Sequence, residues 1–305
     1  CSRCERFITQ KEYDENNGIC PDHQKPYEKL VEENYYLRIS DFKDKIREAI
    51  ESDEMLILPD FRKKEILKLL EESPDVSISR PKSQLEWGVP VPNDESQVMY
   101  VWIDALSNYI TALGYDPDGS SDLYKKYWPA DVHIIGKDIV RFHTIYWPIV
   151  LMALGEPLPK QVFGHPWLLF GEDKMSKSKG NVIYADDLVE LLGVDAVRYY
   201  LLSEMPYASD GSITYSTIIE RFNSDLANTF GNLVNRTIAM QNKYFDGVVC
   251  EPNCADSLDD ELKNFALDTV KKVEKMFETY RVADAIDAIL SLAKRANKYI
   301  DETAP

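Results

Sequence analysis

The sequence predicts two architectures in one chain: an α/β domain built on a parallel sheet, then an all-helical bundle. Three observations carry this. After Ser73-Pro74 short strand-like runs alternate with helical stretches, the pattern of a parallel sheet with helices packed on it. Within that region Val132-His-Ile-Ile135 feeds the turn Gly136-Lys137-Asp138 and then an apolar helix from about Ile139 to Leu154, a strand-turn-helix unit. From Ser216 to Ile300 apolar residues recur at three- and four-residue spacing, as in packed helices. A length of 305 residues suits about two or three domains.

Taken in order, the chain opens with Cys1-Ser-Arg-Cys4 and, fifteen residues later, Cys20-Pro-Asp-His23. Each corner puts two metal ligands on one tight turn, and three thiolates with one imidazole close a tetrahedral shell. The expected ion is a structural Zn2+, with no open position for chemistry. Cys250 and Cys254 have no second pair nearby and read as two thiols in a polar loop. Between Glu28 and Leu70, Phe42, Ile46 and Ile50, then Ile66, Leu67 and Leu70 after Pro59, give amphipathic helices. Gln97 to Ile103 reads as a strand. In doubly wound sheets ligands sit at the carboxyl ends of strands, which places Gly136 and Asp138 in a ligand-facing turn.

Lys174-Met175-Ser176-Lys177-Ser178-Lys179 packs three lysines and two serines into six residues, with Gly171 and Gly180 on either side. Such a segment is a cationic loop. Ammonium groups that close on a polyphosphate leaving group stabilise the charge it develops, whereas a lysine run with no further context is an ordinary solvated charge cluster. No G-x4-G-K-[ST] phosphate loop is present. Farther on, Ile218, Phe222, Leu226, Phe230 and Leu233 form one helical stripe; Leu262, Phe265, Val273, Met276, Phe277 and Tyr280 form a second. A third helix runs from about Val282 to Ile300 through Ile286, Ile289, Leu290 and Ala293.

Thirty-five Lys and Arg against 52 Asp and Glu leave a net charge of −17, which excludes a general nucleic-acid coat and confines any such contact to a local patch. The longest apolar stretch, Ile145 to Leu154, is interrupted by Pro148 and falls short of the roughly 18 residues of a membrane span. Reduced thiols and a cytoplasmic setting are expected. The start at Cys1 without Met and the stop at Ala304-Pro305 after a helical run read as the ends of an interior fragment.

Lys174-Met175-Ser176-Lys177-Ser178 resembles the KMSKS signature of class I aminoacyl-tRNA synthetases, and its surroundings resemble the methionyl-tRNA synthetase family in particular. Tyr100-Val-Trp102-Ile-Asp104-Ala105-Leu106-Ser-Asn-Tyr109, Gly136-Lys-Asp138-Ile139-Val-Arg-Phe-His143, the cysteine corners, Trp87-Gly-Val-Pro-Val-Pro92 and Gly231-Asn232-Leu-Val-Asn-Arg236 follow in that family's order. The resemblance implies the second half of a Rossmann-type catalytic domain with a zinc-binding connective insert, followed by an anticodon-binding helix bundle. Its parts are the insert at 1–75, the catalytic half at 76–165, the KMSKS loop and stem-contact region at 166–215, and the start of the bundle at 216–305.

By the same resemblance L-methionine is bound by Arg80, Trp102, Ala105, Leu106, Tyr109, Ile139 and His143, where some relatives carry proline at the position of Leu106. An adaptable aromatic and apolar wall suits a thioether. ATP, with Mg2+, is implied at Gly136, Asp138, His165, Lys174, Met175, Ser176, Lys177 and Ser178, and anticodon bases of tRNA(Met) at Asn232 and Arg236. The implied reaction is attack of the methionine carboxylate on the ATP α-phosphate, release of pyrophosphate, and transfer of the methionyl group to the 2′-hydroxyl of the tRNA end. The family's other ATP signature, His-Ile-Gly-His, is absent; Val132-His133-Ile134-Ile135-Gly136-Lys137 lacks its second histidine. That signature belongs to the first Rossmann half, upstream of the insert, so a fragment without it is expected to be inactive alone. The alternative, a noncatalytic tRNA-binding module, would have no need of the lysine loop and the methionine-pocket residues.

Overall fold

The computed structural model describes residues 8, 10–28, 32–171, 173–175, 182–251 and 256–304. The chain divides into two compact units, Cys1–Lys45 with Glu71–Trp128, and Ile46–Leu70 with Pro129–Pro305. This division differs from the four consecutive segments read from the sequence.

In the first unit the helix Gln10–Glu15 ends in a turn at Gly18, whose φ of +72° and contact with the Tyr13 ring leave no room for a side chain. A bridge between Ile19 and Pro26 closes the loop that carries Cys20 and His23. Tyr36–Leu37 pairs antiparallel with Val76–Ser77. A second antiparallel sheet has Asp94–Met99 at its centre, between Ser79–Pro81 and Pro90–Val91. The tight connection at Pro92-Asn93 uses Asn93 at φ +66°, a conformation asparagine tolerates. Within this sheet the buried Ser79 hydroxyl donates to Gln97 Oε1 at 2.8 Å. The run Gln97–Ile103, read as one strand, is split: the strand stops at Met99 and a helix begins at Val101. That helix, Val101–Thr111, buries Leu106 and Ile110.

The second unit is organised on a three-stranded parallel sheet. Gln161–His165 lies at its centre, with Leu56–Leu58 on one side and His133–Gly136 on the other. Leu56–Leu58 corrects the all-helical reading of 28–70: a three-residue strand follows the helix Lys43–Glu51 and precedes the helix Asp60–Glu72. The central strand is the covered one, while on the edge strand His133–Gly136 the side chain of Ile134 is exposed. Ile57 and Val162 stand in register and are 1% and 0% exposed. The predicted helix after Gly136 is present but graded, passing from a 3-10 turn (Lys137–Ile139) through a π segment (Phe142–Tyr146) into α-helix (Trp147–Leu154). Ile145, Trp147, Ile149 and Leu151 are fully buried there. Gly164 on the central strand lets this helix approach, since a Cβ on it would fall 2.4 Å from Val140 Cγ2.

A smaller sheet follows, with Leu168–Phe170 between the antiparallel Asp173–Lys174 and the parallel Gly211–Ile213. Leu188, Val197, Tyr200, Ile213 and Ile218 form its core with the helices Ala185–Leu192 and Val194–Ser203, and Met175 packs against them. The bundle begins at Tyr215–Arg221, capped reciprocally by Thr214 and Thr217, and continues through a π segment, Phe222–Gly231, into Asn232–Phe245. Two 22-residue helices, Ser257–Glu278 and Val282–Thr303, pack against each other.

The first bundle stripe is only partly turned inward: Ile218 is buried, and Leu226 and Leu233 are half-buried. Phe222 and Phe230 are exposed, while Asp225 and Thr229 are buried. Polar pairing explains the buried carboxylate: Asp225 Oδ2 accepts from Tyr199 Oη at 2.8 Å and from Arg221 at 3.1 Å, and Arg221 Nε donates to Glu204 at 2.7 Å. A buried carboxylate so paired is tolerated inside. Tyr280, read as the end of the second stripe, lies beyond the helix at φ +59°. Its ring stacks on Phe163 of the central strand at 5.0 Å, Phe163 stacks on Tyr207 at 5.9 Å, and its hydroxyl donates to Gln161 Oε1 at 3.1 Å.

Candidate nucleotide site

The site forms in the second unit, where two parallel strands end. Gly136 ends one and His165 the other, in register. A pocket of about 340 Å³ opens there, lined by Gly136, Asp138, His165, Pro166, Trp167, Leu168, Met175 and Met205. Four of the residues assigned to ATP from the sequence, Gly136, Asp138, His165 and Met175, are thus brought together. A neighbouring side chain accounts for the glycine: a Cβ at 136 would lie 2.8 Å from Asp138 Oδ1. Asp138 Oδ1 accepts from the indole Nε1 of Trp167 at 3.2 Å, and the His165 Nδ1–H donates to the Pro166 carbonyl at 2.9 Å. Since a carbonyl only accepts, His165 Nδ1 carries the proton and Nε2 is its basic nitrogen.

Trp167 and its partners are the site residues that sequence reasoning missed. Lys137 Nζ donates to both oxygens of Asp210, at 2.6 and 2.8 Å, and sits 4.3 Å from the centre of the Trp167 ring. Asp210 Oδ1 also accepts from the Trp167 backbone N–H at 2.9 Å. These donors, the Lys137 ammonium first, hold the Asp210 carboxyl below the ordinary carboxylate range. The one sequence signal was Asp210-Gly211, which reads as a turn.

Behind the turn lie His143 and His133. His143 is buried in the π segment, where its Nδ1–H donates to the Ile139 carbonyl at 2.9 Å. Its ring meets that of His133 edge to face at 5.8 Å. Burial, and secondarily the neighbouring His143, push His133 down to about 4, and burial lowers His143 as well, so both rings are neutral near pH 7. Ile139 is half-buried beside them in sequence.

The other residues assigned to methionine belong to the first unit. Trp102, Leu106 and Tyr109 share one face of the helix Val101–Thr111; Leu106 is buried, Trp102 and Tyr109 are half-buried, and Ala105 is exposed. Burial raises the Tyr109 phenol. Arg80 donates to Ser77 Oγ and to the Ser79 carbonyl, at 2.9 and 2.7 Å, and its guanidinium lies 4.4 Å from the centre of the Tyr100 ring.

Cys20 is buried, and its Sγ lies 3.8 Å from His23 Nδ1. Two ligands of one tetrahedral zinc stand roughly 3.6 Å apart by their bond lengths, so this corner fits the ion. Cys1 and Cys4 lie outside the described residues, and among the described residues no group of three or more His, Cys, Asp and Glu could hold a metal. Ser176, Lys177 and Ser178 also lie outside them. Of Lys174 the backbone is described, paired with Leu169. In the bundle, Asn232 Nδ2 lies 3.5 Å from Asn297 Oδ1 and Arg236 donates to Asp301 at 2.5 Å. Asn232 also lines a polar depression with Asn228 and Asn235.

A parallel α/β sheet with a nucleotide-sized pocket at its strand ends, followed by a lysine-rich segment and a helical bundle, defines the class I tRNA synthetase type of fold. A family model described as tRNA synthetases class I (M) matches residues 1–238, and the chain belongs to that family. The chain is 53% identical over 307 residues to the methionine-tRNA ligase of Clostridium perfringens, covering 100% of this chain and 47% of that protein. It is 50% identical over 291 residues to the methionine-tRNA ligase of Bacillus subtilis, covering 94% and 43%. The chain therefore spans about half the length of the curated relatives it matches. Among solved structures, Mycobacterium tuberculosis methionyl-tRNA synthetase bound by methionyl-adenylate superposes with a TM-score of 0.89 at 39% identity, covering 99% of this chain and 60% of that one. No helix among the described residues is long and apolar enough to cross a membrane.

Proposed function

We propose that the chain serves in ATP-dependent activation of L-methionine and transfer of the methionyl group to tRNA(Met), in the cytoplasm. The observation that carries this reading is the pocket at the ends of two parallel strands, where Gly136, Asp138, His165 and Met175 converge. Its apolar wall of Trp167, Leu168 and Met205 suits a purine ring, and the Asp138 carboxylate suits ribose hydroxyls. The relatives named as methionine-tRNA ligases and the neighbour bound by methionyl-adenylate support the choice of amino acid.

In this reading a methionine carboxylate oxygen bonds to the α-phosphorus while the bond from that phosphorus to the bridging oxygen breaks, releasing pyrophosphate. The chain's contribution is alignment and charge stabilisation. Gly136 and Asp138 hold the ribose, His165 stands beside the phosphates, and Lys174 and Lys177 neutralise the departing charge, with Met175, Ser176 and Ser178 completing that segment. Arg80, Trp102, Ala105, Leu106, Tyr109, Ile139 and His143 take the amino acid. A neutral His143 is suited to a thioether pocket, because a charged ring would hold water there. Mg2+ accompanies ATP and adds charge neutralisation when bound; Asp138 is the one carboxylate among the described residues lining the pocket, so phosphates and water would supply most of its ligands. Cys1, Cys4, Cys20 and His23 would hold structural Zn2+. Asn232 and Arg236 would meet anticodon bases, which offer hydrogen-bonding edges when unstacked.

The test is methionine-dependent exchange of labelled pyrophosphate into ATP by the complete protein, with Lys177→Ala beside it. Exchange specific to methionine, depressed in Lys177→Ala while methionine binding holds, is the expected result. Exchange with another amino acid alone would overturn the choice of substrate; an unchanged rate in Lys177→Ala would remove that lysine's role.

A further inference from the structure

We propose that Asp210, remote in sequence from every motif of the site, is the positioning residue that sets Asp138 for the nucleotide ribose. The inference rests on the functional reading above and deepens it. Asp138 exposes its carboxylate at the pocket, follows Lys137 in the chain, and is held by Trp167, which donates the indole N–H to Oδ1 at 3.2 Å. Asp210 grips both. It takes the Lys137 ammonium on its two oxygens at 2.6 and 2.8 Å and the Trp167 backbone N–H on Oδ1 at 2.9 Å.

The grip is itself held in place. The next residue, Gly211, donates its N–H to the Trp167 carbonyl at 2.9 Å and pairs in register with Leu168. A Cβ on Gly211 would fall 2.3 Å from the Glu204 carbonyl oxygen, so the segment leading to Asp210 is folded tightly on itself. Lys137 is closed between the Asp210 carboxylate and the face of the Trp167 ring, which removes its freedom to swing across the pocket. An ordinary surface ion pair contributes little; this one closes Lys137 over the ring of the tryptophan that holds Asp138, and joins a backbone hydrogen bond on that same tryptophan. Charge-assisted bonds of this kind add geometric definition as well as energy.

Asp210→Ala in the complete protein is expected to raise the KM for MgATP about tenfold while the KM for methionine stays within about twofold. Asp210→Asn, whose amide oxygen still accepts but which loses the negative charge and the second acceptor for the ammonium, should fall between. If Asp210 acts through Trp167, Asp210→Ala should cost less in a Trp167→Phe background, where the indole N–H is gone, than in the parent. Equal rises in both KM values, additive effects in the double variant, or a lowered melting temperature with unchanged KM for MgATP would each overturn the proposal. Should Asp210→Ala fail to fold, Asp210→Asn and Trp167→Phe carry the test in the same sense. Direct titration of the variants with MgATP separates this from the functional reading. A protein that binds MgATP and loses affinity in Asp210→Asn but shows no methionine-dependent exchange would sink the function and keep the positioning role, whereas one that binds no MgATP sinks both.

Discussion

One methyl group added at residue 136 should weaken nucleotide binding without unfolding the protein. Gly136 has φ −67° and ψ 146°, a conformation open to any residue. The obstacle is Asp138 Oδ1, 2.8 Å from where the new Cβ would stand. That oxygen ends a flexible side chain at the protein surface, so relief comes by rotating Asp138 away from the Trp167 indole and breaking the 3.2 Å bond. Loss of one such bond is worth about 1 kcal/mol, or about fivefold in Kd. Gly136→Ala should therefore bind MgATP about fivefold more weakly in an equilibrium titration, with a melting temperature within about 3 °C of the parent. Affinity within twofold of the parent would refute the claim that the pinned rotamer of Asp138 is the binding one. A much larger fall in melting temperature would refute the premise that Asp138 is free to turn.

Gly164→Ala makes the opposite trade: its Cβ would meet Val140 Cγ2 at 2.4 Å in the core, and stiff valine yields little, so denaturant unfolding should show a loss of about 1–3 kcal/mol. An unchanged midpoint would mean that helix and strand are less closely packed than described. His133, pushed down to about 4 by burial, stays neutral in the fold while the unfolded chain takes up its proton below about pH 6.5. Stability is then full above pH 6.5 and falls toward pH 4 by on the order of 3 kcal/mol; His133→Asn should flatten that slope between melts at pH 7 and pH 4.5, and an equally steep slope would reject the assignment. Arg236→Ala should weaken tRNA binding about tenfold without slowing methionine activation, and an equal loss in both assays would reject that division of labour.

The unit His133 to Leu154 was legible because its strand is a short β-branched run, its turn carries a glycine two residues before a carboxylate, and its helix is long. Leu56–Leu58 was not, because three residues between two charged amphipathic helices leave no period to read. The bundle helices were placed correctly, but the stripe of the first was only partly so: Ile218 is buried while Phe222 and Phe230 are exposed, and the carboxylate of Asp225 is buried by its pairing with Tyr199 and Arg221. Composition cannot reveal a partner 26 positions away. The same limit hid Asp210, 73 positions from Lys137 and 43 from Trp167. Gly136, Asp138, His165 and Met175 were singled out through resemblance to a family, and in the structure the four line one pocket.

The ring of Tyr280 against Phe163 seats the helical hairpin on the central strand. The helix that leaves this corner has 22 residues, about 33 Å at the usual rise per residue, and along that length it is laced to the rest of the bundle, Asn297 donating to the Thr229 carbonyl at 2.9 Å and Asp301 accepting from Arg236 at 2.5 Å. Its near corner rests through the aromatic stack on the strand whose last residue, His165, borders the nucleotide pocket. One ring thus belongs both to the packing of the bundle and to that of the strand, and a smaller side chain at 280 would loosen the two together.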